Sequence, residues 1–204
     1  MGVFDDIYSG DGWGFGSGHG SLPRVTKGYR TYIEMFLHEN NIKTVVDLGS
    51  GDWQFSRLIN WGDAHYTGLD IVPAVIEKAE QQFGGPNVTF RVVKPGQTTL
   101  PKADLLIVKD VLQHMSTEAV QMFIKKVLPR YKFALITNCV EPSSAINAEI
   151  EDGDFRPLDL RAKPFNVPAS AVYAFEGPKS FSRSTRKFFP AWKKQVLLFS
   201  ATTR

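Results

Sequence analysis

Residues 44–59, TVVDLGSGDWQFSRLI, constrain the fold more than any other stretch. A short apolar run, Val45-Val46, meets an acid, Asp47, then two glycines at 49 and 51, and apolar residues at helical spacing follow at once. That is the pattern of a strand, a tight turn and a helix, here expected over about 53–60. Glycines let the backbone turn sharply and let a ligand approach it without a Cβ in the way. A helix N-terminus behind the turn offers N–H groups that have no intrahelical partner. Loops of this kind bind nucleotide-like ligands at the carboxyl ends of parallel strands.

A glycine turn alone says little, so the next element decides. Residues 66–70 read as a second strand that ends in an acid, Asp70, 19 residues after Gly51. A ribose-binding carboxylate is expected roughly 20 residues on, where it can accept hydrogen bonds from both ribose hydroxyls. The turn is D-x-G-x-G, with Asp52 and Trp53 where a dinucleotide fingerprint places its third glycine. That third glycine permits close helix packing under a pyrophosphate. Its absence favours a cofactor without phosphate over NAD or FAD.

At this point the chain resembles the class I S-adenosylmethionine (SAM) methyltransferases. Their first motif resembles Val46-Asp47-Leu48-Gly49-Ser50-Gly51, their second resembles Gly68-Leu69-Asp70, and their fourth resembles residues 104–114, DLLIVKDVLQH. The resemblance covers roughly residues 42–140. It implies an α/β fold: a Rossmann-like, seven-stranded, mostly parallel sheet with helices on both faces and an antiparallel terminal strand. It also implies SAM as cofactor and S-adenosylhomocysteine (SAH) as product. Asp47 would orient the glycine turn or meet the cofactor's amino group, and Gly49, Ser50 and Gly51 would line its methionine part. Asp70 would take the ribose, Ile71 would pack on adenine, and Trp53 would cover the cofactor or sit in the core. Many relatives place an acid after the third strand to read the adenine amino group. Residues 94–97, KPGQ, stand there instead, so backbone or Gln97 must serve.

The 204 residues suit one α/β domain with a core large enough to fold alone. No apolar run approaches the roughly 20 residues of a membrane span. The first six residues, MGVFDD, are acidic where a secretion signal is basic. The single cysteine, Cys139, allows no internal disulfide and points to a reducing, cytoplasmic compartment. Net charge is +3, unevenly spread: residues 177–204 carry +7 and the rest −4. That basic end also holds Phe181, Phe188, Phe189 and Trp192, a mixture that suits nucleic acid or a solvated loop packed on the sheet.

The β and α patterns alternate through the middle of the chain, as a parallel sheet requires. Strands are expected at 44–48, 66–70, 88–93, 104–109 and 132–138, and helices at 24–40, from Pro73 to Gln82, and at 117–128 behind a Ser116 cap. Late strands at 171–176 and 194–200 resemble the family's antiparallel pair. Residues 9–21 hold six glycines around Trp13 and Phe15 and read as a flexible cover within an N-terminal segment, 1–23. In the resembling family the following helix often closes over the cofactor, which makes Thr26, Tyr29 or Arg30 candidates, with Arg30 paired to its carboxylate. Residues 141–170 form a proline-rich loop too long to be a simple connection, read as the substrate-binding insertion through Glu141, Asn147, Asp154, Arg156, Asp159, Arg161 and Phe165.

Methylation of a hydroxyl needs a general base or a metal, because an alcohol is not acidic near neutral pH. His114, just past the fourth strand, is the candidate base, since its ordinary pKa of about 6.5 suits proton acceptance. Asp110 can orient His114, contact substrate or bind a divalent metal. In the metal-dependent catechol-type relatives, carboxylates and an Asn end strands four and five. Asp110 and Asn138 fit two such places, Thr137 replaces an aspartate, and Glu141 is the nearest substitute, so the metal stays open. Residues 109–112, KDVL, lack the Asn/Asp-Pro-Pro-aromatic motif of DNA amino methylation and the Pro-Cys of cytosine C5 methylation. The chain is also loosely similar to compact sugar O-methyltransferases, including viral domains joined to glycosyltransferases. The leading expectation is methylation of a sugar hydroxyl in a glycan or glycosylated metabolite. The alternatives are an RNA methyltransferase using residues 177–204 and a SAM-binding subunit of a catalytic partner.

Overall fold

The computed structural model describes residues 17–140, 145–177, 180–182, 187–189 and 192–201; for His19 and the residues between 180 and 189 it describes the backbone alone. The strands are β1 Thr44–Leu48, β2 His65–Asp70, β3 Val88–Val92, β4 Leu105–Lys109, β5 Phe133–Cys139, β6 Ser170–Glu176, β7 Ser180–Ser182, β8 Lys187–Phe189 and β9 Lys193–Ser200. The helices are α1 Pro23–Glu39, α2 Pro73–Phe83 and α3 Thr117–Lys126, with short 3-10 turns between. Seven strands form one sheet in the order β3-β2-β1-β4-β5-β9-β6. The pairs from β3 through β5 are parallel, and β9 runs antiparallel to both β5 and β6. β7 and β8 form a separate antiparallel hairpin that the sequence reading did not anticipate.

Two apolar layers sandwich this sheet, and strand periodicity sorts residues between them. Val45, Leu105, Ile107 and Leu135 face one layer with Tyr29 and Ile33 of α1 and Ile76 of α2. Val46, Leu106, Val108, Ala134 and Ile136 face the other, with Val120 and Phe123 of α3. All five residues of β4 are buried, as a central parallel strand with both faces covered should be. The helices therefore lie on both faces, as the resemblance implied.

Helix boundaries follow local chemistry. α1 and α2 each open with proline, whose missing N–H costs nothing at a helix start. Ser116 caps α3, its Oγ accepting from Ala119 N–H, with Glu118 in the first turn and Lys125 and Lys126 in the last.

The expected helix over 53–60 is absent. Only a 3-10 turn, Ser56–Leu58, forms there. Trp53 adopts φ 58°, outside the helical region, and Ser56 Oγ is drawn to Asp47 Oδ2 at 3.1 Å. The apolar spacing was real, because Phe55 and Ile59 are buried, but a compact turn buries them instead of a helix.

The long loop also differs from expectation. Its described part, 145–169, contains no helix or strand, yet Leu158, Leu160, Phe165 and Val167 are buried in the layer under α3. It does the work of a missing helix on that face of the sheet. Glu141 and residues 1–16, with Trp13 and Phe15, lie outside the described residues, as do Lys179, Arg183, Arg186 and Arg204 of the basic end. Among the described residues no helix is long and apolar enough to cross a membrane.

Candidate active site

Strand order reverses between β1 and β4, and the ligand crevice of an open α/β sheet lies outside the carboxyl ends of the strands at such a point. A cavity of about 770 Å³ sits there, within the roughly 300–1,000 Å³ usual for small-molecule sites. The turn after β1 forms its floor. Gly49 and Gly51 have φ of 78° and 55°, the left-handed region that favours glycine. The N–H groups of Gly49 and Ser50 both donate to Leu69 O, at 2.7 and 3.0 Å, which pins the turn to the end of β2.

Asp70 is the second fixed point. Gly51 N–H donates to its Oδ2 at 3.0 Å and Val72 N–H to its Oδ1 at 3.1 Å. Burial raises its pKa, and the N–H bonds offset only part of that. Each carboxylate oxygen keeps acceptor capacity toward the cavity, which Asp70 lines together with Ile71. Ser50 Oγ, also on the wall, is buried with no hydrogen-bond partner among the described residues. Buried polar groups are rarely left so, and a ligand that donates to it would satisfy it. The turn, Asp70 and this orphan hydroxyl fit a cofactor that carries a ribose and an amino-acid end.

Other expected cofactor residues lie elsewhere. Asp47 is buried in the core, where it accepts 2.6 and 3.1 Å hydrogen bonds from Tyr66 OH and Ser56 Oγ, and does not line the cavity. It thereby ties down the segment after the turn. Trp53 packs on Tyr66, Phe83 and Phe90 with centroids 5.1–5.5 Å away, and is a core residue rather than a cover. Gly51 serves through its N–H to Asp70 and is not on the cavity wall. Arg30 donates to Leu58 O and Pro23 O, so its guanidinium joins α1 to a loop and is not aimed at a cofactor carboxylate. Thr26 and Tyr29 are buried and equally off the wall. Gln97 lines the cavity, but its amide is spent on Lys94 N–H and Thr99 O, leaving backbone to meet adenine.

Two lysines that the sequence reading passed over, Lys109 and Lys194, complete the other end around Asp110. Asp110, at φ 59°, receives Lys109 Nζ on one carboxylate oxygen and Lys194 Nζ on the other, each at 2.6 Å. Burial raises the Asp110 pKa, but the two ammonium groups outweigh it and hold the carboxyl well below its usual range. Lys109 also donates to Ser21 Oγ at 3.3 Å, which fastens the Gly18–Ser21 segment over the cavity. Both carboxylate oxygens of Asp110 are thus occupied by cations. Thr137 is bonded to Tyr29, and the Asn138 amide is buried off the wall. Among the described residues no cluster of three His, Cys, Asp or Glu is placed to hold a metal. The catechol-type metal set does not fit this arrangement.

His114 lines the same end. Its Nδ1 is 2.8 Å from Asp154 O, and a carbonyl only accepts, so Nδ1 carries the proton and Nε2 is the acceptor. Gln113 Nε2 lies 3.3 Å from that Nε2, and its orientation is fixed because Gln113 Oε1 accepts from Cys139 N–H at 2.8 Å. Burial lowers the His114 pKa, so the ring is neutral at pH 7. Beside it, Phe155 stacks on Trp192 with centroids 5.7 Å apart and planes at 24°, and both rings are 44% exposed at the mouth. Of the long loop, Asp152, Gly153 and Phe155 reach the wall. Arg156 is buried and braces Met115 O and Ala148 O, Asn147 ties the loop to itself, Asp159 pairs with Arg161, and Phe165 is core.

Comparison with known proteins agrees with this geometry. Residues 45–132 match the family described as Methyltransferase domain. TehB from Haemophilus influenzae superposes with a TM-score of 0.62 at 13% identity, over 89% of this chain and 67% of that one. A structure described as "Conversion of a Disulfide Bond into a Thioacetal Group during Echinomycin Biosynthesis" gives 0.62 at 17% identity, over 97% and 91%. Magnesium protoporphyrin IX methyltransferase (ChlM) from Synechocystis PCC 6803, with bound SAH, gives 0.56 at 15% identity, over 87% and 84%. None of these three is described with a glycosyltransferase. No curated protein sequence matches the chain. Residues 45–132 thus match a methyltransferase domain, and the chain shares the fold of these solved structures, one of them a methyltransferase with bound SAH.

Proposed function

We propose that this chain is a SAM-dependent methyltransferase that modifies a hydroxyl on a ring-shaped acceptor, foremost a sugar in a glycan or glycosylated metabolite. The observation that carries the reading is the His114 tautomer, held by Asp154 O with Nε2 as acceptor beside the stacked Phe155–Trp192 pair. SAM, when bound, supplies an activated methyl on a sulfonium. Asp70 and Ser50 would hold its ribose and amino-acid ends. With SAM bound, a hydroxyl beside His114 would displace the long Gln113 contact and give its proton to Nε2, while the methyl passes from sulfur to oxygen, the S–CH3 bond breaks and SAH is left. General-base assistance of this kind contributes about 10²–10⁴-fold, and fixing the acceptor in line can contribute more. The exposed aromatic faces suit the apolar face of a sugar ring, and Asp152 on the cavity wall suits its hydroxyls.

Methyl transfer from labelled SAM by the purified chain, offered oligosaccharides and RNAs with and without EDTA, tests this. Label on a sugar hydroxyl, insensitive to EDTA, supports it. Label on RNA would move the acceptor to the basic C-terminal residues instead. Tight SAM binding with no label on any acceptor would favour a cofactor-binding subunit.

A further inference from the structure

Among the described residues, two ammonium groups share one carboxylate on the wall of the cavity's acceptor end. Lys109 and Lys194 are 6% and 1% exposed and share a single carboxylate, Asp110. Burial lowers the Lys194 pKa, but attraction to Asp110 outweighs it and raises the value, so the ammonium is charged at pH 7. Cys139, 3.3 Å from Lys194 Nζ, does not supply a further anion, because burial raises its thiol pKa. Asp47, ionised at pH 7, attracts Lys109 from the core, off the cavity wall, and leaves Asp110 as the carboxylate bonded to Lys194. A buried ammonium that shares its carboxylate with a second cation is costly to keep out of water, and an incoming anion offsets that cost.

The two lysines differ in what they can offer. Lys109 is turned toward Ser21 and Phe55, the latter 5.1 Å from its Nζ, on the side of the glycine turn. Lys194 lies 5.9 Å from the Trp192 ring, on the side of the aromatic pair. An ammonium has three donors. Two of Lys194's go to Asp110 and Cys139, and the third has no partner among the described residues.

Resting on the sugar reading above, we infer that Lys194 recognises an acidic acceptor: the ring that stacks at Trp192 carries a carboxylate, as a hexuronic acid does. Its carboxylate takes the third Lys194 donor, while a ring hydroxyl meets His114. The same chemistry is present in the methionine carboxylate of SAM, so the test must separate the two sources.

Calorimetric titration of the SAH-loaded chain with methyl β-D-glucuronide and methyl β-D-glucoside does so. The glucuronide should bind about 10- to 100-fold more tightly, the range of one charged hydrogen bond. Lys194→Gln should erase that preference without weakening SAH, and Lys194→Arg should keep most of it. Equal affinity for the two sugars, or no binding of either by the unaltered chain, overturns the inference even if the variants do not fold. Loss of SAH affinity in Lys194→Gln, with no acid preference beforehand, assigns the lysine to the cofactor and overturns it too. A preserved acid preference without methyl transfer supports Lys194 as the anion site and counts against hydroxyl methylation alone.

Discussion

Tyr66 donates a 2.6 Å hydrogen bond to Asp47, so a phenol on β2 holds a carboxylate of β1 inside the core. Ser56 donates to the same oxygen. Burial outweighs these bonds and raises the Asp47 pKa from 3.8 to about 6. The folded state therefore keeps this proton over a range in which the unfolded chain has lost it. Stability from Asp47 is fully present below pH 3.8, falls as pH rises toward about 6, and is flat above. The total is on the order of 3 kcal/mol. Asp47→Asn removes the titration, so its urea-denaturation stability should lack this downward slope between about pH 4 and 6. Parallel pH profiles for the two proteins would show that Asp47 is ionised throughout.

His114→Ala should lower methyl transfer by about 10²–10⁴-fold and leave SAH affinity unchanged, because in the proposed reading the imidazole moves a proton and Asp70 holds the cofactor. In the unaltered chain the acidic limb of kcat/KM should fall with an apparent pKa below 6.5, since burial lowers the His114 value. A variant with near-normal turnover, or an acidic limb above 6.5, would remove His114 as the base.

The sheet was legible because its strands are short apolar runs bounded by turn residues and its acids stand at strand ends. Of the expected cofactor residues, the same local pattern brings Gly49, Ser50, Asp70 and Ile71 to the cavity wall. The acceptor half was not legible in this way, for a topological reason. Lys109 and Lys194 lie 85 residues apart in sequence and meet because β9 inserts antiparallel between β5 and β6, which sets Lys194 across from Cys139. In sequence Lys194 reads as part of a solvated basic end, and no local period marks it as buried. Lys109 was the better clue, a cation closing an otherwise apolar strand. The helix expected at 53–60 failed where a left-handed Trp53 competes with a genuine apolar repeat.

Asp70→Asn should weaken SAH by at least about 100-fold, the loss of two hydrogen bonds to a charged acceptor. Asparagine keeps the shape but places an NH2 against one of two N–H donors, Gly51 or Val72. The turn and the ribose contact are therefore damaged together. Calorimetry at fixed pH reads the effect, and wild-type affinity in the variant would refute the placement of ribose at Asp70.

Gly49 joins backbone conformation and packing at one position. Its φ of 78° penalises any L side chain, and a Cβ built there collides with Val111 Cγ2 at the end of β4. Gly49→Ala should cost about 2–5 kcal/mol, from left-handed strain of roughly 1–2 and overpacking of roughly 1–3. Val111→Ala removes the colliding methyl, so the double variant should recover the packing share and keep the backbone share. A double-mutant cycle in urea measures that coupling, expected at about 1 kcal/mol or more. Gly49 N–H and Ser50 N–H are both anchored on Leu69 O, so the single variant should also lose SAH affinity. If the two substitutions were simply additive, the collision would not be what excludes a side chain, and the left-handed turn alone would account for the glycine.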